Sequence, residues 1–168
     1  MLKAADGSTF PLVLAGGNGW LMEHFGAALE GLQPGEDVFL TGYASELELQ
    51  WLMQNCFALV YPSHFEGFGM PVLEALSLGA PVLCSNTTSL PEAGGEAAVY
   101  FDPFDTTNML AAMKRVSRGD VSRERMRIAG FEHAKRFSWG SSAALVRDTY
   151  AAVVTSPPVR KRAATAGR

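Results

Sequence analysis

Two carboxylates, Glu66 and Glu74, bracket a glycine-containing turn in the stretch Tyr61 to Gly79, Tyr-Pro-Ser-His-Phe-Glu-Gly-Phe-Gly-Met-Pro-Val-Leu-Glu-Ala-Leu-Ser-Leu-Gly. An apolar strand, Ala58 to Tyr61, runs into the turn, and a helix is expected to open at Pro71. Proline suits a first helical position because its missing N–H would be unpaired there. The first amides of a helix have no intrahelical acceptor, and with the helix dipole behind them they attract an anion. Gly67 and Gly69 would let a ligand come close to the backbone. The pattern therefore reads as a phosphate and sugar site, with amides for the anion and carboxylates for hydroxyls. Plainer readings stand beside it. A helix N-terminus favours Glu74 by about 0.3–1 kcal/mol whatever its function, and Glu66 could be an ordinary loop charge. Paired carboxylates also serve acid/base hydrolysis, although an anion-attracting helix start beside both of them weighs against that chemistry.

Other residues carry weaker signals. Gly16, Gly17 and Gly19 lack the Gly-x-Gly-x-x-Gly spacing and suit a tight turn. Tyr43 could stack on a base or pack partly buried. His24, His64 and His133 have no ligand spacing, and His64 reads as a solvated loop residue. Ser63 could reach a phosphate or cap its own loop. No Asp-x-Asp or His/Cys cluster suggests a metal site. Cys56 and Cys84 read as two small buried thiols in a reducing compartment. The net charge of −3 argues against a general nucleic-acid binder. Met1 to Phe10 has no apolar signal-peptide core, and no apolar run reaches the roughly 18 residues of a membrane span. These features lead to the expectation of a soluble, cytoplasmic protein.

The elements that must position the carboxylates alternate along the chain. Strands are expected at Leu12–Ala15, Val38–Thr41, Ala58–Tyr61, Pro81–Cys84 and Val99–Phe101. Helices are expected at Trp20–Leu32, from Ser45 as cap to about Asn55, from Pro71 to Gly79, after Ser89, and at Thr106–Ser117, Ser122–Arg136 and Trp139 to about Val154. Ser89-Leu-Pro-Glu92 has the form of a capping box. Leu49, Leu52 and Met53 should face inward. Residues 1–11 read as the remnant of a helix and loop, 12–154 as one domain, and 155–168 as a disordered tail. Short apolar strands alternating with helices imply a Rossmann-like α/β fold, a parallel sheet with helices on both faces. Such sheets bind ligands beyond the carboxyl ends of their strands, where the turns at Gly16-Gly17, Gly42 and Gly67/Gly69 all fall.

Pro62-Ser-His-Phe-Glu-Gly-Phe-Gly-Met-Pro-Val-Leu-Glu-Ala resembles the signature of the family 4 (group 1) retaining glycosyltransferases, which have the GT-B architecture of two Rossmann-like domains. Phe39-Leu-Thr-Gly-Tyr, Gly79-Ala-Pro-Val, Ser85-Asn-Thr-Thr-Ser-Leu-Pro-Glu and Phe137-Ser-Trp are similar to that family's carboxyl-terminal, nucleotide-sugar-binding domain. The resemblance implies transfer of a hexosyl group from a nucleotide sugar to an acceptor with retention. It assigns Glu66 to the donor sugar as the catalytic carboxylate, together with the amides around Gly67, Phe68, Gly69 and Met70. The amides of Val72 and Leu73 would meet the diphosphate, Glu74 the ribose, and the Tyr43-Ala44 turn the base. It implies no metal and no cofactor beyond the donor. The run Ser85 to Glu92 is most similar to mannosyltransferase-type members, which points to GDP-mannose.

The departures from the family pattern carry expectations too. A strand ending in Gly-Arg and a helix opening near Lys-Gly, whose basic pair contacts the diphosphate, have no counterpart here. The amino-terminal acceptor domain has none either. In the strand order 3-2-1-4-5-6 the chain would supply strands 2 to 6 and lack central strand 1, leaving strands 2 and 4 with unpaired edges. Strand 2 could close onto strand 4, another chain could fill the gap, or the fragment could be unstable. The isolated chain is expected to show no turnover and weakened donor binding. The alternative function is a non-catalytic nucleotide- or sugar-binding module, or a subunit completed by another chain.

Overall fold

A computed structural model describes residues 10–17 and 29–155. Strands and helices alternate along them as β1 (Leu12–Ala15), β2 (Val38–Gly42), α1 (Glu46–Asn55), β3 (Leu59–Tyr61), α2 (Met70–Ser77), β4 (Val82–Ser85), α3 (Leu90–Gly94), a 3₁₀ turn (Gly95–Ala97), β5 (Ala98–Phe101), α4 (Thr106–Ser117), α5 (Arg123–Ala134) and α6 (Trp139–Thr155). The chain divides into two compact units, one ending at Lys135 and one from Arg136 that carries α6. The first turn of α6 is tied by Ser138, whose Oγ accepts the Ser141 amide at 3.1 Å.

Every ladder is parallel, as an α/β fold built from crossovers requires. The sheet is in two pieces, β1-β2 and β3-β4-β5. In the order 3-2-1-4-5-6 these are the segments 3-2 and 4-5-6, so the described strands leave the central place between β1 and β3 without a ladder. Direct closure of β1 onto β3 is therefore the outcome that the structure does not adopt. The consequence shows in the side chains. Apolar strands of parallel sheets are ordinarily buried on both faces, yet Leu12, Val13, Phe39 and Leu40 are exposed. The neighbouring α1 has no buried residue. Met53 packs against the core as expected, whereas Leu49 is exposed, in keeping with an interrupted sheet layer.

The core lies around β4, all four of whose residues are buried. Side chains of a strand alternate between faces. Val82 and Cys84 accordingly join Val72, Ala75, Leu76, Leu90 and Ala93 on one side. Leu83 joins Val99, Phe101, Ala112, Val116 and Met126 on the other. Each large apolar side chain buried in this way contributes about 1.5–3 kcal/mol. Phe57 is sandwiched at the edge of the second cluster. The Phe10 ring stacks on it with centroids 3.9 Å apart, and the Arg123 guanidinium lies 4.0 Å from its centroid.

Several boundaries differ from the sequence reading. Helix α2 begins at Met70 with Gly69 as cap, so Pro71 is one residue further in. Ser122 caps α5, its Oγ accepting the Arg125 amide at 3.3 Å. Thr155, expected in the tail, still belongs to α6 and donates to the Ala151 carbonyl at 2.9 Å. Leu29 to Gly31 is a turn. Most of the expected Trp20–Leu32 helix, residues 1–9, His24 and the remaining tail lie outside the described residues. No helix among the described residues is long and apolar enough to cross a membrane.

Candidate functional site

The loop between β3 and α2 presents Glu66 at the carboxyl end of the three-stranded sheet. The Tyr61 hydroxyl, at the last residue of β3, donates to Glu66 Oε1 at 2.7 Å. Burial, followed by the hydrogen bond and charge of Glu66, pushes the Tyr61 phenol up to about 12. It therefore stays a donor at neutral pH. The Glu66 backbone is held from a second direction. Its amide donates to Thr88 Oγ1 at 3.1 Å, and its carbonyl accepts from Ser89 Oγ at 2.9 Å. Thr87 Oγ1 donates to the His64 carbonyl at 3.2 Å. Ser63 Oγ donates to the Phe65 carbonyl at 3.3 Å, which gives it a loop-holding role. His64 is exposed and lies against the Phe104 ring with centroids 4.5 Å apart.

Gly69 is buried and caps α2 with φ 98° and ψ 41°. A Cβ placed there would lie 2.8 Å from Leu90 Cδ2 and 3.2 Å from the Ala93 Cβ. Glycine is thus required by conformation and by space. The amides of Val72 and Leu73 both donate to the Gly69 carbonyl, at 3.0 and 3.2 Å. They are taken up within the first turn of α2. The amides of Gly67, Gly69 and Met70, by contrast, have no protein acceptor among the described residues. Glu74 lies one turn further along, exposed, and its carboxylate has no partner among the described residues.

The expected capping box at Ser89 does not form. Ser89 sits at φ −88° and ψ −8°, a helical rather than an extended conformation, and makes no side-chain cap bond to α3. Its hydroxyl serves the Glu66 carbonyl instead. A capping box does form at Ser45, where the Glu48 amide reaches Ser45 Oγ and the Ser45 amide reaches Glu48 Oε2 at 2.7 Å. The Ser45 hydroxyl, which donates to Glu48 Oε2 at 2.6 Å, and then the Ser45 amide hold the Glu48 carboxyl below the usual carboxylate range.

Tyr43 and Ala44 line a cavity of about 220 Å³ where β2 leads into α1, together with Thr41, Glu48, Trp51 and Leu52. Tyr43 is 87% exposed and Ala44 is buried. Trp51 is a cavity residue that the sequence reading missed. Its signal was the helical spacing that puts it on one face with Glu48 and Leu52. An exposed indole and phenol beside one cavity suit a flat aromatic ligand.

Cys84 is buried and its thiol is pushed up to about 12 by burial, while burial also raises Cys56. Both are free and neither is activated. Among the described residues no group of three or more His, Cys, Asp or Glu is placed to hold a metal ion.

The fold is shared with solved structures. TarM matches with a TM-score of 0.71 at 17% identity, over 92% of this chain and 30% of TarM. Sucrose-phosphate synthase of Thermosynechococcus elongatus matches with a TM-score of 0.72 at 22% identity, over 87% of this chain and 39% of the synthase. At these identities the likeness speaks for the fold. In sequence, the chain is 40% identical over 131 residues to O-antigen chain mannosyltransferase B of Escherichia coli, covering 77% of this chain and 34% of the relative. It is 32% identical over 126 residues to the serotype-specific mannosyltransferase WbdA of Escherichia coli, covering 75% and 15%. The chain thus spans about a third or less of these relatives. The profile of the family described as "Glycosyl transferases group 1" matches residues 1–133, and the chain belongs to that family.

Proposed function

We propose that this chain is the donor-binding part of a retaining hexosyltransferase that takes its sugar from a nucleotide sugar, with GDP-mannose the first donor to test. The observation that carries the reading is the Glu66 loop. It joins a carboxylate aimed by Tyr61 to backbone amides of Gly67, Gly69 and Met70 that no protein acceptor uses among the described residues. A retaining transfer needs a carboxylate or an equivalent group facing the donor sugar, and positive potential where the diphosphate leaves. Glu66 takes the first role, with the backbone of Gly67, Phe68, Gly69 and Met70 lining the sugar.

The expectation placed the diphosphate at the amides of Val72 and Leu73. Because Gly69 already accepts both, the anion falls instead to the Gly69 and Met70 amides at the start of α2, where the helix dipole supports them. Glu74, whose carboxylate is unpartnered among the described residues, takes the ribose hydroxyls. The cavity of Tyr43, Ala44 and Trp51 takes the base. Similarity to two Escherichia coli proteins named as mannosyltransferases supports mannose as the transferred sugar.

A thermal-shift panel of UDP-, GDP- and ADP-sugars tests the reading. A ligand that binds only the folded chain raises its midpoint with occupancy. GDP-mannose is expected to give the largest rise. A panel with no rise would overturn the proposal. Sugar transfer itself is expected to be absent from the isolated chain, and steady turnover by the purified protein would refute that part.

A further inference from the structure

The loop carrying Glu66 is tied to the segment after β4 by the side chains of Thr87, Thr88 and Ser89. Thr87 holds the His64 carbonyl, Thr88 receives the Glu66 amide, and Ser89 holds the Glu66 carbonyl. Both backbone polar groups of Glu66 are thereby fixed from one strand of chain, while Tyr61 fixes the carboxylate from another. Thr88 does this at φ 53°, and no other described non-glycine residue has a positive φ. A β-branched residue in that region is a steric outlier, costly because its Cβ crowds the following carbonyl. Such strain persists only where the surroundings over-determine it, and it gathers at functional sites. Ser89, at the start of α3, gives up its cap bond to the same end.

We propose that Tyr61 and Thr88 are positioning residues for Glu66, with Thr88 locking its backbone and Tyr61 aiming its carboxylate. The inference rests on the reading of Glu66 as the carboxylate facing the donor sugar. With the Tyr61 hydroxyl on Oε1, the other carboxylate oxygen has no partner among the described residues and keeps its lone pairs for a ligand. A carboxylate pre-set in this way loses less freedom when the sugar arrives. Holding it within a few tenths of an ångström is what separates a productive site from a loose one.

The two halves are tested with Thr88→Gly, Thr88→Ser and Tyr61→Phe. Glycine adopts φ 53° without strain but removes the acceptor, and serine keeps the hydroxyl. In Thr88→Gly the Glu66 amide is expected to exchange with deuterium about tenfold faster, the equivalent of one hydrogen bond. Its thermal midpoint should change little, because relief of strain offsets the lost bond. Thr88→Ser should keep wild-type protection. In Tyr61→Phe the Glu66 side-chain scalar couplings should become rotamer-averaged. The ratio of GDP-mannose to GDP affinity, which isolates the sugar, should fall about tenfold.

Unchanged Glu66 exchange in Thr88→Gly would overturn the role of Thr88. Unchanged couplings or an unchanged affinity ratio in Tyr61→Phe would overturn the role of Tyr61. A wild-type chain that binds no nucleotide sugar would overturn the donor reading and, with it, the functional half of this inference. That failure is visible before any variant is made.

Discussion

Replacing Gly69 by alanine should damage the site and the fold together. Gly69 sits at φ 98°, and its missing Cβ would lie 2.8 Å from Leu90 Cδ2 and 3.2 Å from the Ala93 Cβ. Both neighbours are fully buried and belong to the larger core cluster, so neither moves cheaply. Positive φ costs an L-residue about 1–2 kcal/mol, and overpacking a tight core costs about 1–3 kcal/mol. Loss of glycine's freedom in the unfolded chain returns about 0.4–1 kcal/mol. The net destabilisation is about 1–4.5 kcal/mol. For a slope of about 2 kcal/mol/M, urea unfolding should show a midpoint lower by about 0.5–2 M. Gly67→Ala is the internal control. Gly67 is exposed, and a Cβ there would meet nothing within 4 Å, so its effect should stay within about 0.5 kcal/mol. Equal effects of the two substitutions would refute the reasoning, as would a Gly69→Ala chain as stable as the wild type.

Further outcomes follow from the same structure. Ser45→Ala removes a complete capping box and should cost about 1 kcal/mol at neutral pH. Glu48 has a folded pKa held below its unfolded value by Ser45. Its contribution is therefore present above the unfolded pKa and lost as pH falls through the folded one. The gap in thermal midpoint between wild type and Ser45→Ala should accordingly narrow on acidification below the carboxylate range. Leu83→Ala, inside the second core cluster, should lower stability by about 2–5 kcal/mol in the same urea assay. Cys84 should resist thiol reagents in the native chain at pH 8 and react fully in denaturant, because its thiol is buried and its pKa raised. Rapid native labelling of Cys84 would contradict its placement in the core.

Much of this architecture was legible in residue pattern, and the exceptions share a cause. β1 and α4 fall where their apolar spacing puts them, because each is decided by its own residues and its immediate caps. The two Ser-x-x-Glu stretches separate local from tertiary control. Ser45-Glu-Leu-Glu48 closes its box with Ser45 in the extended conformation that a cap needs. Ser89-Leu-Pro-Glu92 has the same form, yet the Glu66 carbonyl draws the Ser89 hydroxyl across from another loop. No pattern within the segment records that competitor.

The same limit applies to the site. The glycines and carboxylates of the Glu66 loop were visible as a motif. The partner groups on Tyr61, Thr87, Thr88 and Ser89 came into view only once β3 and β4 lay side by side. The strand order pointed to two unpaired edges and left open whether they would close on each other; among the described residues β1-β2 and β3-β4-β5 stay separate. The exposure of Leu12, Val13, Phe39 and Leu40 is its physical record. Trp51 was passed over because the inward face read from this helix was Leu49, Leu52 and Met53, and nothing within the helix marks the cavity it shares with Thr41 and Tyr43.

If the Glu66 to Glu74 segment binds a nucleotide sugar with Glu74 on the ribose, calorimetric titration of GDP-mannose should separate the wild-type chain from Glu74→Ala. The wild type should bind measurably, with an affinity weaker than submicromolar. Glu74→Ala should lose about a hundredfold or more, as expected when a charged acceptor of two ligand hydroxyls is removed. Equal affinity in the two proteins would contradict that placement of Glu74.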